Sequence, residues 1–474
     1  MADRRAGAFA VTEIDDARRL LALQRAAHRR DGTPDAAVRR DRLRRLERLV
    51  GDYFDRFAAA ISDDFGNRSP VETLLLETMG AVGAIRYARR HVARWMKPER
   101  RRVGRNFWPG RAYVHHEPLG VVGIVSPWNY PLLLALSPLV DAIAAGNRAI
   151  LKPSEQTPRF SALLASAIGA TFAPEEVAVV IGGPDVGAAF AALSWDHLLF
   201  TGSTAIGRKV ALAAADGLVP LTLELGGKSP AIICPSASLA KAANAIAWGK
   251  FVNAGQTCIA PDYVLAPAGE VHAAAEAIMR EVRRFYPDLG PDYGALIGER
   301  AFDRVSMQVE QAVNSGAAVI THGTPADRAA RRFPPTIVIE PPLDGALMRE
   351  EIFGPVLPII GYRDLDSALA FVADRPHPLA LYCFAERRAE IDHVLGRSQS
   401  GGVTVNGTLV HIGQESLPFG GVGASGMGSY HGRAGFDRLS HARGVFRVGR
   451  FNPAKLLFPP YGRGTRRLIG LLMR

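Results

Sequence analysis

Apolar residues recur at three- to four-residue intervals over 15–30 and again over 39–62, which predicts two amphipathic helices. Beyond residue 100 the pattern changes. Short unbroken apolar runs at 120–125, 148–151, 177–181 and 197–200 alternate with helical stretches, as βα units feeding a largely parallel sheet do. A second set begins near Glu224, with strands expected at 231–233, 318–321 and 356–361. The chain therefore reads as α/β, with two successive sheets, no internal repeat, and no low-complexity segment beyond local Ala-rich helices.

Composition narrows the class. At 474 residues the chain is long enough for several domains of about 100–200 residues each. No stretch approaches the ~20 apolar residues that span a bilayer. The start, Met1-Ala2-Asp3-Arg4-Arg5, is not followed by the apolar core of a signal peptide. Three cysteines with no close pairing in sequence argue for a reducing compartment, so a cytoplasmic location is expected. The net charge of +11 comes largely from arginine, including Arg39, Arg40, Arg42, Arg44, Arg45 and Arg48 in one helical stretch. No aromatic platform or nucleic-acid motif accompanies these runs, so they read as solvated faces and no nucleic-acid partner is expected. His115-His116 lacks ligand spacing, so no metal site is expected, and its strand reads as one that reaches the surface or a partner subunit. The basic, partly apolar tail from Phe458 is too short to span a membrane and is expected to pack on its own or a partner subunit.

Three segments carry candidate chemistry. Cys258 lies in Gly255-Gln256-Thr257-Cys258, among small and polar residues that suit a partly accessible nucleophile as well as an ordinary core thiol. Glu224 stands inside the apolar run Leu221-Thr222-Leu223-Glu224-Leu225, followed by Gly226-Gly227. Buried there, it would have a raised pKa suited to a general base; on a strand edge it would simply face water. Asn129 ends a buried-type strand within Pro127-Trp128-Asn129-Tyr130-Pro131, where its amide could donate to an oxyanion or satisfy its own turn.

An anion site is expected where the strand ending at Phe200 meets Thr201-Gly202-Ser203-Thr204-Ala205-Ile206-Gly207 and the helix after it. Ser203 also fits an ordinary helix N-cap. Gly421-x-Gly423-x-x-Gly426 matches a dinucleotide fingerprint by letter, but no strand directly precedes it and no helix-length pattern directly follows, so it reads as a turn-rich loop.

These long motifs resemble the aldehyde dehydrogenase superfamily: Gly-Gln-Thr-Cys258, Glu224-Leu-Gly-Gly-Lys-Ser-Pro and Pro-Trp-Asn129-Tyr-Pro. Residues 417–432 are most similar to the class 3 branch, and Asp63-Asp64-Phe65-Gly66-Asn67-Arg68-Ser69 to its bacterial coniferyl aldehyde dehydrogenases. The resemblance implies an aldehyde dehydrogenase-like fold: a Rossmann-type coenzyme domain over 1–223, interrupted by an oligomerisation hairpin near 105–120, and an α/β catalytic domain over 224–410. Residues 411–474 would return to the oligomerisation element and end in the tail. It implies catalytic roles for Cys258, Glu224 and Asn129. It places the coenzyme against Trp128, Lys152, Glu155, Gly202, Ser203, Gly207, Glu351 and Phe353. NAD is the expected coenzyme, because the Glu155 carboxylate would repel a 2′-phosphate, with NADP as the alternative. The substrate is expected to be a small-molecule aldehyde, aromatic and coniferyl-like, with long aliphatic aldehydes second and a homodimer as the assembly. A catalytically silent scaffold and a thioesterase-like hydrolase are the competing readings.

Overall fold

The computed structural model describes residues 14–104 and 107–450 and, in the tail, 452, 455 and 458–473. The Met1–Arg5 start and Arg474 lie outside them. The two N-terminal helices form at Ile14–Asp31 and Ala36–Phe65. The second is capped by Asp35, which accepts from the Val38 N–H, and stops where Gly66 turns left-handed at φ 78°.

Three sheets follow. A small antiparallel one joins β1 (Glu99–Arg101), β2 (Arg111–Pro118) and β16 (Ser440–Arg447) in the order β1-β2-β16. The first large sheet contains β3 (Val121–Val125), β4 (Arg148–Lys152), β5 (Val177–Val179), β6 (His197–Thr201), β7 (Leu221–Glu224) and β15 (Gly426–Met427). Its order is β15-β7-β6-β3-β4-β5, parallel except for the β15 edge. The second contains β8 (Pro230–Ile233), β9 (Tyr263–Pro267), β10 (Ala318–Thr321), β11 (Thr336–Ile339), β12 (Val356–Tyr362), β13 (Ala380–Phe384) and β14 (Gly402–Val405). Its order is β10-β11-β12-β9-β8-β13-β14, with only β10 antiparallel.

The parallel strands are apolar at most of their positions because helices cover both faces, with polar residues kept mainly to their ends, such as Lys152 and Glu224. The helix Pro131–Ala145, Pro-Leu-Leu-Leu-Ala-Leu-Ser-Pro-Leu-Val-Asp-Ala-Ile-Ala-Ala, is buried at all but one of its residues, as a helix apolar on every side must be. In the first sheet β4 and β5 lie on one side of β3, and β6 and β7 on the other. That reversal opens a crevice at the carboxyl ends of the strands, the usual place for a ligand in an open α/β sheet.

Several surface expectations are corrected. Arg39 is 1 % exposed and Arg42 8 % exposed, so the arginine helix is not simply a solvated face. Arg39 donates to Pro34 and Ala144 carbonyls, while Arg42 and Arg45 clamp Glu176 at 2.9 Å each. These arginines staple the helix to the sheet. Most of β2 is partly exposed, as expected, but the His116 side chain turns inward and is buried, its ring centroid 5.6 Å from that of Phe436. Cys234 and Cys383, distant in sequence, are brought to 3.9 Å across neighbouring strands and remain free thiols. The tail forms the helix Arg463–Leu472, but Leu471 is 75 % exposed and Met473 82 % exposed, so this end does not bury them on its own subunit. Among the described residues no helix is long and apolar enough to cross a membrane, and no cluster of ligating side chains could hold a metal.

Candidate active site

The helix Leu239–Phe251 delivers the chain into a turn with three consecutive left-handed residues: Asn253 at φ 51°, Ala254 at 49° and Gly255 at 75°. Asn and Gly tolerate this region, whereas for Ala254 it costs about 1–2 kcal/mol. Glycine is required at 255 for a second reason: a Cβ there would lie 2.3 Å from the Gly354 carbonyl oxygen. The fully buried Gln256 holds the turn. Its side-chain amide donates to the carbonyls of Asn253 and Ala295 at 3.0 Å each, and its Oε1 accepts from the Ile297 N–H at 2.8 Å. Cys258 leaves this turn half-buried.

Asn129 follows β3 and is 3 % exposed. Its side chain does not close its own turn. Its Nδ2 donates to the Gln256 carbonyl at 3.2 Å, and its backbone carbonyl accepts from Asn253 Nδ2 at 3.0 Å and Arg68 Nη1 at 2.9 Å. One amide proton is thereby engaged and the other is left for a ligand. Glu224 ends β7, is 2 % exposed, and has no hydrogen-bond partner at either carboxylate oxygen. It does not face water, and burial holds its pKa well above the ordinary carboxylate value.

Burial also pushes the Cys258 thiol up to about 12, reinforced by the charges of Glu351 and Glu224, while the N–H groups of Cys258 and Ile259 oppose the shift. Half-exposure lets water screen part of this effect. Burial and the two carboxylates act in the same direction, against the thiolate.

The remaining candidates line the crevice. Lys152 at the end of β4 and Phe200 near the end of β6 both pair with Val125, and Thr201 pairs with Glu224 one step on. Parallel register thus sets these groups along one edge. Lys152 is buried and holds Glu155 at 3.1 Å. Ser203 caps the helix Thr204–Asp216, its Oγ accepting from the Ile206 N–H at 3.4 Å. Gly202 and Gly207 admit the Phe200 ring and the Leu225 side chain, which a Cβ would meet at 2.6 Å in each case. Trp128 and Phe353 meet edge to face with ring centroids 5.4 Å apart.

Glu351 occupies space that a Cβ on Gly226 would fill, 2.1 Å from its Oε2, and accepts from the Gly227 N–H. Burial first, and the nearby Asp262 carboxylate second, push its pKa up to about 8. Asp262 anchors this segment, accepting from Lys228 Nζ and from the Ile352 N–H at 3.0 Å. A cavity of about 480 Å³ runs past Thr204, Arg208, Gly226, Lys228 and Glu351, joining the strand–helix turn to the second sheet. The Gly421–Gly426 segment contributes only a loop and the β15 edge, with the Ala424 carbonyl accepting from Thr204 Oγ1.

A family model described as the aldehyde dehydrogenase family matches residues 5–445. The chain belongs to that family. This aldehyde dehydrogenase oxidises an aldehyde to the carboxylic acid. It is 47% identical over 459 residues to a protein of Pseudomonas aeruginosa named probable coniferyl aldehyde dehydrogenase, covering 96% of each chain. Among solved structures it is similar to the substrate-bound state of Staphylococcus aureus AldH, with a TM-score of 0.91 and 35% identity over 97% of this chain and 99% of that one. It is also similar to a Mycobacterium tuberculosis aldehyde dehydrogenase complexed with NAD+, with a TM-score of 0.82 and 28% identity over 92% and 91% of the two chains.

Reading the aldehyde dehydrogenase by sequence missed three residues that build its thiol loop: Arg68, Asn253 and Gln256. Asn253 and Gln256 carried only the weak signal of polar residues beside a cysteine. Arg68 entered only as part of the Asp63–Ser69 motif, with no role of its own, and is 0 % exposed.

Proposed function

We propose that the enzyme oxidises an aromatic, coniferyl-like aldehyde with NAD as coenzyme, using Cys258 as nucleophile, Glu224 as general base and Asn129 as oxyanion donor. The observation that carries this reading is the Glu224 carboxylate, buried and unpartnered, with its charge reaching the half-buried Cys258 thiol. An orphaned buried acid is costly, and here it stands where a water attacking a thioester would need a base.

The chain's residues fit a dinucleotide. The crevice edge carries the Lys152–Glu155 pair for ribose hydroxyls, and the Ser203 turn offers N–H groups for a pyrophosphate. The cavity past Gly226 and Glu351 continues from that turn, and Glu351, with the Trp128–Phe353 ring pair, would hold the nicotinamide half. When bound, the nicotinamide supplies the hydride acceptor.

The chain's own residues do the rest. Cys258 releases its thiol proton to solvent, the resulting thiolate Sγ attacks the aldehyde carbon, and the developing oxyanion is held by the free Asn129 amide proton and the Cys258 N–H. Once the adduct is oxidised, a thioester remains on Cys258. Glu224, ionised by release of its own proton to solvent, takes a proton from water as that water attacks the thioester carbonyl, and the acid leaves as the thiolate is regenerated. We assign residues 1–223 to coenzyme binding and 224–410 to catalysis, and read the enzyme as a cytoplasmic homodimer. The aromatic substrate is supported by the 47% identity to the Pseudomonas aeruginosa protein named for coniferyl aldehyde.

The test is formation of reduced coenzyme by the purified protein, comparing coniferyl aldehyde with a long aliphatic aldehyde under NAD and under NADP. Faster reduction with the aromatic aldehyde and NAD is expected. Preference for the aliphatic aldehyde would replace the substrate. No reduction with any pair would return the chain to the silent-scaffold reading.

A further inference from the structure

Behind the site lies a buried ion group that the mechanism above does not use. Arg68 is 0 % exposed, its Nε 3.3 Å from Glu72 and its Nη1 2.9 Å from Glu77, which is also 0 % exposed. Each acid holds a different part of the site. Glu72 accepts from the Asn253 backbone N–H, at the left-handed turn that leads to Cys258. Glu77 accepts from the N–H groups of Leu132 at 2.8 Å and Leu133 at 3.1 Å, at the start of the helix that follows Asn129. Arg68 stands between them and donates directly to the Asn129 carbonyl at 2.9 Å. Its guanidinium also lies 4.8 Å from the centroid of the Tyr130 ring, whose hydroxyl meets Thr257 Oγ1 at 2.6 Å.

Three buried charges are a poor way to gain stability, since apolar side chains of similar volume are often equal or better. What the charges add is direction. The guanidinium aims one hydrogen bond, from Nη1 to the Asn129 carbonyl, while its Nε and Nη2 make none. The two acids hold it by charge, and both are themselves tied to backbone N–H groups. The Asn129 peptide is gripped from one side by Arg68 and from the other by Asn253, and its amide is aimed by the Gln256 carbonyl. We propose that Arg68 is a positioning residue for the oxyanion site: with Glu72 and Glu77 it locks the Asn129 loop against the Cys258 loop, so that the free amide proton meets the developing oxyanion. Arg68 touches no reacting atom and acts through Asn129.

The proposal rests on the thiol-and-oxyanion reading above, and the experiment separates the two. The full-length enzyme is compared with Asn129→Ala, with the charge-balanced pair Arg68→Gln/Glu77→Gln, and with all three changes combined. Two rates are read for each: the pre-steady-state burst of reduced coenzyme, and alkylation of Cys258 by iodoacetamide, which forms no oxyanion. Misplacing an oxyanion donor should slow the burst about 10²-fold in the Arg68 variant, close to the loss in Asn129→Ala. Alkylation should stay within about threefold of the parent, and adding Asn129→Ala to the Arg68 variant should cost under about threefold more, because both remove one function. Should the double variant not fold, Arg68→Lys keeps the charge between Glu72 and Glu77 but moves the donor that reaches the Asn129 carbonyl. It should slow the burst about tenfold, again without slowing alkylation.

An unchanged burst, fully additive losses, or alkylation falling in step with the burst would overturn the positioning role. A parent enzyme with no burst on any aldehyde would overturn the functional reading, and the proposal with it. A parent burst that Asn129→Ala leaves intact would remove the oxyanion role from Asn129, and with it the reason for Arg68.

Discussion

The thiol side of the crevice and its strand-edge side are built on opposite terms. Around Cys258 the polar groups are buried and left wanting: Glu224 has no partner at either oxygen, the thiol is pushed up to about 12, and Ala254 is held in left-handed backbone. Along the edge of β4 and β6 the charged and capping groups are paired: Lys152 with Glu155, and Ser203 with the start of a helix, though the buried Thr201 hydroxyl has no partner. The difference fits the tasks proposed for them. A site that moves protons needs groups whose ionisation is finely balanced, which burial supplies. A site that only holds a ligand gains from being pre-formed, because little has to be ordered on binding.

The comparison breaks first at the thiol. Cys258→Ser should abolish the burst of reduced coenzyme, by about 10⁴-fold or more, while leaving coenzyme affinity unchanged in an equilibrium titration. Loss of coenzyme binding as well would mean that the two sides are not separable.

Glu224→Gln should keep the burst and slow steady turnover by about 10²–10⁴-fold. It also carries a pH signature. In the native protein Glu224 stays protonated above its ordinary value of 4.5, whereas the unfolded chain loses that proton near 4.5. Above that pH the unfolded state binds fewer protons, so this residue lowers stability by about 1.4 kcal/mol for each pH unit up to its folded pKa. Below 4.5 the loss vanishes. Denaturation of parent and Glu224→Gln across pH 4–9 should therefore diverge as pH rises, with the variant falling less. Parallel curves would place Glu224 in a more polar setting. Turnover limited by thioester hydrolysis should likewise rise with pH in the parent.

Asn129→Ala should slow the burst by about 10²–10³-fold, the usual loss for one oxyanion donor. The smallest effect is expected on the edge: Glu155→Gln removes an exposed charge facing the proposed ribose site and should shift the NADP-to-NAD ratio of kcat/KM upward by about three- to tenfold. A ratio that does not move would place coenzyme choice elsewhere in the crevice.

The arginine helix teaches the limits of local pattern. Arg39, Arg42 and Arg45 looked like a solvated face because periodicity registers polarity and not partners; the Ala144 carbonyl and Glu176 that receive them lie 105 and 134 residues further on. Arg68 likewise finds its partner at Asn129, 61 residues away.

What the sequence determined by itself was the alternation of apolar strands with helices and the βα order that follows. These depend on side-chain period and backbone preference within a few residues. Only the tertiary structure decided which charges are buried, which face of Asn129 is free, and that Glu224 is left without a partner beside a thiol. Desolvation and hydrogen-bond satisfaction belong to the neighbours a residue acquires in space, and for these residues the neighbours arrive from other strands and helices.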